Sequence, residues 1–127
     1  MLSINEHETL EEASNELLEF VLAPQNWVAL GQLGERPHER PGENAAYQRR
    51  VGKLRICASV DVTTSLEVFL RVAFRASGLT PARAADFLAE FIADRIPLTP
   101  NSEWQVHVDD REWVHFIRRY AAEALQA

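Results

Sequence analysis

From Lys53 to Arg75 the apolar side chains fall on alternate positions. Leu54, Ile56, Ala58, Val60 and Val62 are even-numbered, as are Leu66, Val68, Leu70, Val72 and Phe74. The odd set is Lys53, Arg55, Cys57, Ser59, Asp61, Glu67, Phe69, Arg71, Ala73 and Arg75. Successive side chains in a strand point to opposite faces, so this pattern predicts two strands with one apolar face. A 3.6-residue period would scatter the even set around a helix. Thr63, Thr64 and Ser65 form the turn between the strands. With Val62 opposite Leu66, Asp61 would face Glu67, an unfavourable like-charge pair. A slip by two residues removes that pair and keeps the faces, so parity is fixed and register is open. Upstream, Tyr47, Arg49 and Val51 carry the pattern on odd positions. One extra residue at Gly52 would switch the parity, which predicts a β-bulge in one long, bent strand.

Elsewhere the period is helical. Leu10, Ala13, Ser14, Leu17 and Val21 make a stripe over about 4–23, with a capping box at Ser3/Glu6 or Thr9/Glu12 and a stop at Pro24. Trp27 to Leu30 reads as a short edge strand. Thr80 caps a helix over about 81–96 whose first residue is Pro81. Glu103 to Val108 reads as a strand with Trp104, Val106 and Val108 inward. Asp109 with Glu112 reads as a capping box, followed by a helix over about 110–126 with Trp113, Phe116, Ile117, Tyr120, Ala121 and Ala124 buried. Residues 35–43, ERPHERPGE, hold two prolines and a glycine, which predicts a mobile loop at about 34–45.

The expected fold is therefore α+β: a twisted antiparallel sheet of 3–4 strands built on a central hairpin (about 46–62 and 66–76), with three helices on its even face. In outline this order resembles that of small acidic secretion chaperones. They open with a helix, continue into strands and often dimerise, so the resemblance implies a homodimer.

At 127 residues, 46% of them hydrophobic, the chain suits one domain over 1–127 that buries roughly two-thirds of its unfolded surface. No apolar run approaches the ~20 residues of a membrane span, and the N-terminus lacks the pattern of a signal peptide. One cysteine excludes an internal disulfide and a cysteine zinc cage. The expected compartment is the cytosol, with no membrane partner.

Charge is segregated. Residues 1–20 hold Glu6, Glu8, Glu11, Glu12, Glu16 and Glu19 and no Lys or Arg, so the first helix carries the whole net charge of −6. Such a chain is a poor match for nucleic acid, which needs clustered bases. Glu12 and Glu16 repel each other at i, i+4. Their face is either solvated or meets a basic surface, the chain's own or a partner's.

Candidate chemistry is sparse. No phosphate loop, nucleophile elbow, HExxH or EF-hand pattern is present, so no catalytic residue, cofactor or metal is assigned. Cys57 with His107 would form an activated thiolate if their strands were neighbours. His107 and His115, with Asp109 or Glu112, have no recognised ligand spacing. Arg49, Arg55, Arg71 and Arg75 gather along the hairpin and would pair with a phosphate or carboxylate. Phe69, beside Cys57, is a large apolar group on a polar face and marks a covered surface, with Glu12 and Glu16 as the complementary acids. The expected function is a non-enzymatic protein-binding or adaptor domain acting as a homodimer. The alternative is a small-molecule or anion site, an enzyme's among the forms it would take, between the basic strand face and the 35–43 loop.

Overall fold

The even positions of the hairpin form one side of the core, and two helices form the other. In the computed structural model, which describes residues 2–29, 47–92 and 94–121, the elements are α1 (Ile4–Val21), β1 (Val28–Ala29), β2 (Tyr47–Val51), β3 (Leu54–Val62), β4 (Val68–Arg75), α2 (Pro81–Phe91), β5 (Gln105–Val108) and β6 (Val114–Arg119). A single 3-10 turn, Pro24–Asn26, follows α1. The strands make one mixed sheet in the order β1-β3-β4-β6-β5, with β2 paired beside β1 on the same edge of β3.

α1 starts at Ser3, whose hydroxyl accepts from the Glu6 amide while the Glu6 carboxylate accepts from the Ser3 amide, 3.2 and 3.3 Å. Its buried stripe is Leu10, Ala13, Ser14, Leu17 and Val21. Two phenols tie it to the sheet: Tyr47 donates to the Ala13 carbonyl at 3.0 Å and Tyr120 to the Val21 carbonyl at 3.1 Å. The Trp27 indole also donates to Val21, at 3.1 Å. A terminal helix carbonyl with no partner in the helix thus receives two side-chain donors. Burial and the nearby Glu16 push the Tyr47 phenol up to about 12, so it stays a donor. α2 is capped by Thr80 and buries Ala84, Leu88 and Phe91. Phe74 lies between Phe91 and Phe116 with edge-on rings, 6.1 and 6.0 Å between centroids.

Several expectations need correction. The sheet has six strands among the described residues, not 3–4, and it is mixed, because β1 runs parallel to β3 with Val28 opposite Asp61. Among the described residues there are two α-helices, not three. The expected helix over 110–126 is strand β6 from Val114 to Arg119, paired antiparallel to both β4 and β5; residues 122–127 lie outside the described set. Asp109 does cap amides, but those of a tight turn: its Oδ1 accepts from the Arg111 and Trp113 amides at 2.9 and 3.0 Å. An aspartate serves an Asx turn and a helix N-cap by the same bond, so the residue alone does not distinguish them.

The long bent strand at 46–62 is also two strands. Val51 faces Leu54 across a two-residue turn of Gly52 and Lys53. Gly52 has φ +61°, which glycine adopts without strain and which suits a first turn position. A two-residue loop pairs odd with even numbers, so the parity switch comes from chain reversal rather than a bulge. In the second hairpin Val62 faces Val68, the register slipped by two, and Asp61 faces Phe69 instead of Glu67. α2 ends at Phe91 rather than near 96. The expected mobile loop at 34–45 lies outside the described residues.

Candidate functional site

The helices cover the even face, so the chemistry lies on the odd face and at the sheet edges. The registers align the odd-face residues in rows across the strands. Arg50, Arg55 and Arg75 form the first row, and Gln48, Cys57, Ala73, His115 and His107 the second. Ser59, Arg71, Ile117 and Gln105 form the third, and Asp61, Phe69 and Arg119 the fourth.

Rows two to four contain a buried polar chain. Arg71 Nε donates to Ser59 Oγ at 3.1 Å, and Ser59 donates to Asp61 Oδ2 at 3.1 Å. Arg71 Nε lies 3.6 Å from the same carboxylate oxygen. On its other side Arg71 Nη1 is 3.1 Å from His115 Nδ1, and His115 Nε2 is 2.7 Å from Asp109 Oδ2. Ser59, Asp61, Arg71 and His115 are all 0% exposed. A guanidinium only donates, so Nδ1 must accept and the proton sits on Nε2, directed at Asp109. Protonating Nδ1 would set two donors against each other. Burial, with Arg71 and His107 nearby, accordingly holds the His115 imidazole below its ordinary value, against the pull of Asp109. Burial alone would raise Asp109, but its bonds from His115, Arg111 and Trp113 outweigh that and hold it below the usual carboxylate range.

The sequence-level site residues separate. Arg49 belongs to the helix face, 3.6 Å from Glu12 and 3.1 Å from Glu16, so the acidic helix meets the chain's own strand there. Arg71 is sealed in the buried chain. Arg55 stacks on Trp113, 5.1 Å from the ring centroid, and shares its row with Arg75. Cys57 is buried in a small cluster with Ala73 and Trp113, and Phe69 is half-buried. Cys57 and His107 share a row but stand three strand spacings apart, roughly 14 Å. The rings of His107 and His115 are 6.1 Å apart, and among the described residues no group of three or more His, Cys, Asp and Glu is arranged to hold a metal. Residue-by-residue reading missed the buried chain. The slipped register, which was open, would have placed Ser59 opposite Arg71.

Two open features remain on the helix side. All four residues of β5, at the sheet edge, are exposed, with Val106 at 52% and Val108 at 48%, although both were expected to be buried. Beside them an open groove of about 620 Å³ runs between α2 and the sheet, lined by Leu88, Ile92, Ile96, Leu98, Trp104 and Phe116 among others. Asp94 and Arg118 are the charged groups on it. No helix among the described residues is long and apolar enough to cross a membrane. The chain matches no family model, no curated protein and no solved structure.

Proposed function

We propose that the chain is a non-enzymatic protein-binding domain that works as a homodimer through the β5 edge. The observation that carries this reading is that β5 is exposed along its length and bears no formal charge. An edge strand offers unpaired backbone groups to another strand, and natural sheets usually guard it with charge. β2, at the other side of the sheet, has Arg49 and Arg50; β5 has Gln105, Val106, His107 and Val108. Over these four residues two copies therefore set no formal charges against each other, despite a net charge of −6 each.

Register favours self-pairing. In an antiparallel pair, opposed residues share a face, so a two-fold axis must pass through a residue rather than between two. Centred on His107, Val106 faces Val108 of the second copy. Centred on Val106, the two Val106 side chains meet and Val108 faces Trp104. Either arrangement sets apolar groups against each other and brings the two grooves alongside the axis. The non-enzymatic part of the reading rests on the burial of Asp61, Ser59, Arg71 and His115, since a catalytic group must touch its substrate.

Light scattering after size exclusion tests it. Wild type is expected to run as a dimer over a wide concentration range, and the Val106→Lys/Val108→Lys variant as a folded monomer whose melting temperature is lower by the lost dimer linkage and independent of concentration. A wild-type monomer at every concentration would refute the proposal.

A further inference from the structure

We propose that Arg50 and Arg55, with Arg75 behind them, form a binding site for a compact phosphate-class dianion on the sheet face away from the helices. The register sets Arg50 directly opposite Arg55, and Arg55 directly opposite Arg75. Three arginines thus stand abreast on neighbouring strands whose backbones are about 5 Å apart. Lys53 adds a fourth cation in the turn joining β2 to β3. Like charges directly opposed across strands are unfavourable, and Arg50 opposite Arg55 is such a contact. The other arginines of the same face are treated differently: Arg71 lies beside Asp61, and Arg119 donates to Glu67 at 2.7 Å. Neither Arg50 nor Arg55 is paired with a carboxylate among the described residues. A bound dianion would supply the missing countercharge.

The site is shaped as well as charged. A shallow pocket of about 210 Å³ opens here, lined by Gln48, Arg49, Arg50, Arg55, Ile56 and Trp113. Arg55 lies over the Trp113 ring, which is buried against Cys57 and Ala73, while the Trp113 backbone N–H donates to Asp109 Oδ1 at 3.0 Å. A guanidinium ordered in advance loses little freedom on binding. Arg49 is occupied by Glu12 and Glu16, so it supports the pocket wall rather than the ligand. The pocket is smaller than the ~300 Å³ at which drug-sized sites begin, which favours inorganic phosphate or a small phosphate monoester over a nucleotide. Guanidinium forks match such oxygens bidentately. Nucleic acid is disfavoured by the net charge of −6.

The test compares melting temperatures in a few millimolar inorganic phosphate with those in chloride at matched ionic strength, below the range where phosphate stabilises proteins by exclusion. Wild type is expected to melt higher in phosphate, by linkage. The Arg50→Gln/Arg55→Gln variant is expected to lose that difference while remaining cooperatively folded in chloride, where the relieved repulsion offsets the lost stacking of Arg55 on Trp113. Arg83→Gln, on the exposed side of α2, is expected to keep the wild-type response. Equal melting in phosphate and chloride for wild type, or a phosphate response that survives in Arg50→Gln/Arg55→Gln, overturns the proposal.

Discussion

Replacing Asp61 with Asn probes the buried chain at its charged end. The carboxylate lies 3.6 Å from Arg71 Nε and accepts from Ser59, which itself accepts from Arg71. All three residues are 0% exposed. The amide keeps the shape and most of the bonding but removes the countercharge of a guanidinium that water does not reach. Removing one partner of a buried pair costs about 3–5 kcal/mol, because the other charge stays desolvated. A domain has only about 5–15 kcal/mol of stability, so the loss is a large fraction of it. Urea unfolding followed by fluorescence of Trp27, Trp104 and Trp113 reads the change. With a slope of about 1.5 kcal/mol per molar urea, the midpoint falls by about 2–3 M. Arg71→Met is expected to cost a similar amount. The double variant Asp61→Asn/Arg71→Met is expected to fall short of the summed single losses by about 1–3 kcal/mol, because neither member of the pair is then left charged without the other. A single-variant loss below about 1 kcal/mol, or strict additivity, would refute the reasoning.

Two further predictions come from the same geometry. The fold holds His115 neutral, below its ordinary value of 6.5, so the unfolded chain takes up that proton first as pH falls. Stability from this group is present above about pH 6.5 and declines below it, by at most about 1.4 kcal/mol per pH unit for one proton. Asp109, shifted down, gives stability that is fully present between pH 5.5 and 7.5 and therefore adds no slope there. Melting temperature should therefore drop from pH 7.5 to 5.5 in wild type and less steeply in His115→Gln; a flat wild-type profile would contradict this. Gly52 and Gly78 both have positive φ, +61° and +73°, but a Cβ at Gly52 would run into the Glu6 carboxylate whereas one at Gly78 meets nothing. Both alanine variants should lose about 1–2 kcal/mol from backbone strain, and Gly52→Ala slightly more; equal urea midpoints would remove the α1 contact from the explanation.

The elements that could be read from the sequence have one wet face and one dry face. α1 and α2 show clear stripes, and the even positions of β3 and β4 are the core. β6 could not be read in this way. Trp113, Val114, His115, Phe116 and Ile117 are all buried, so the strand has no polar side and the period of two vanishes. Any such run contains apolar pairs at i, i+3 and i+4, and with an aspartate ahead of it the run imitates a capped helix. The same loss of contrast hid the buried chain. Ser59, Asp61, Arg71 and His115 look like surface residues in a sequence, because polarity is the usual sign of exposure.

Partners, rather than residue type, sort the arginines into roles. In the sequence, Arg49, Arg55, Arg71 and Arg75 are equivalent members of one basic run. In the fold, Arg71 is tolerated in the interior because Asp61 and Ser59 meet it, which makes it part of the framework. Arg49 spends its charge on Glu12 and Glu16 and relieves the repulsion within α1, so it too is structural. Arg118 donates to Ser102 at 3.0 Å and to the Thr99 carbonyl at 3.3 Å, and covers Trp104, fixing the connector beside the groove. A cation already matched by a carboxylate of its own chain has less to gain from an anionic ligand. Arg55 has an aromatic ring beneath it and two cations beside it. The ring fixes its direction without neutralising its charge, and its neighbours raise the local potential. By that reasoning the odd face is divided along its rows: the end near Asp61 holds the sheet together, and the end at Arg50 and Arg55 is where an anion from outside would be held.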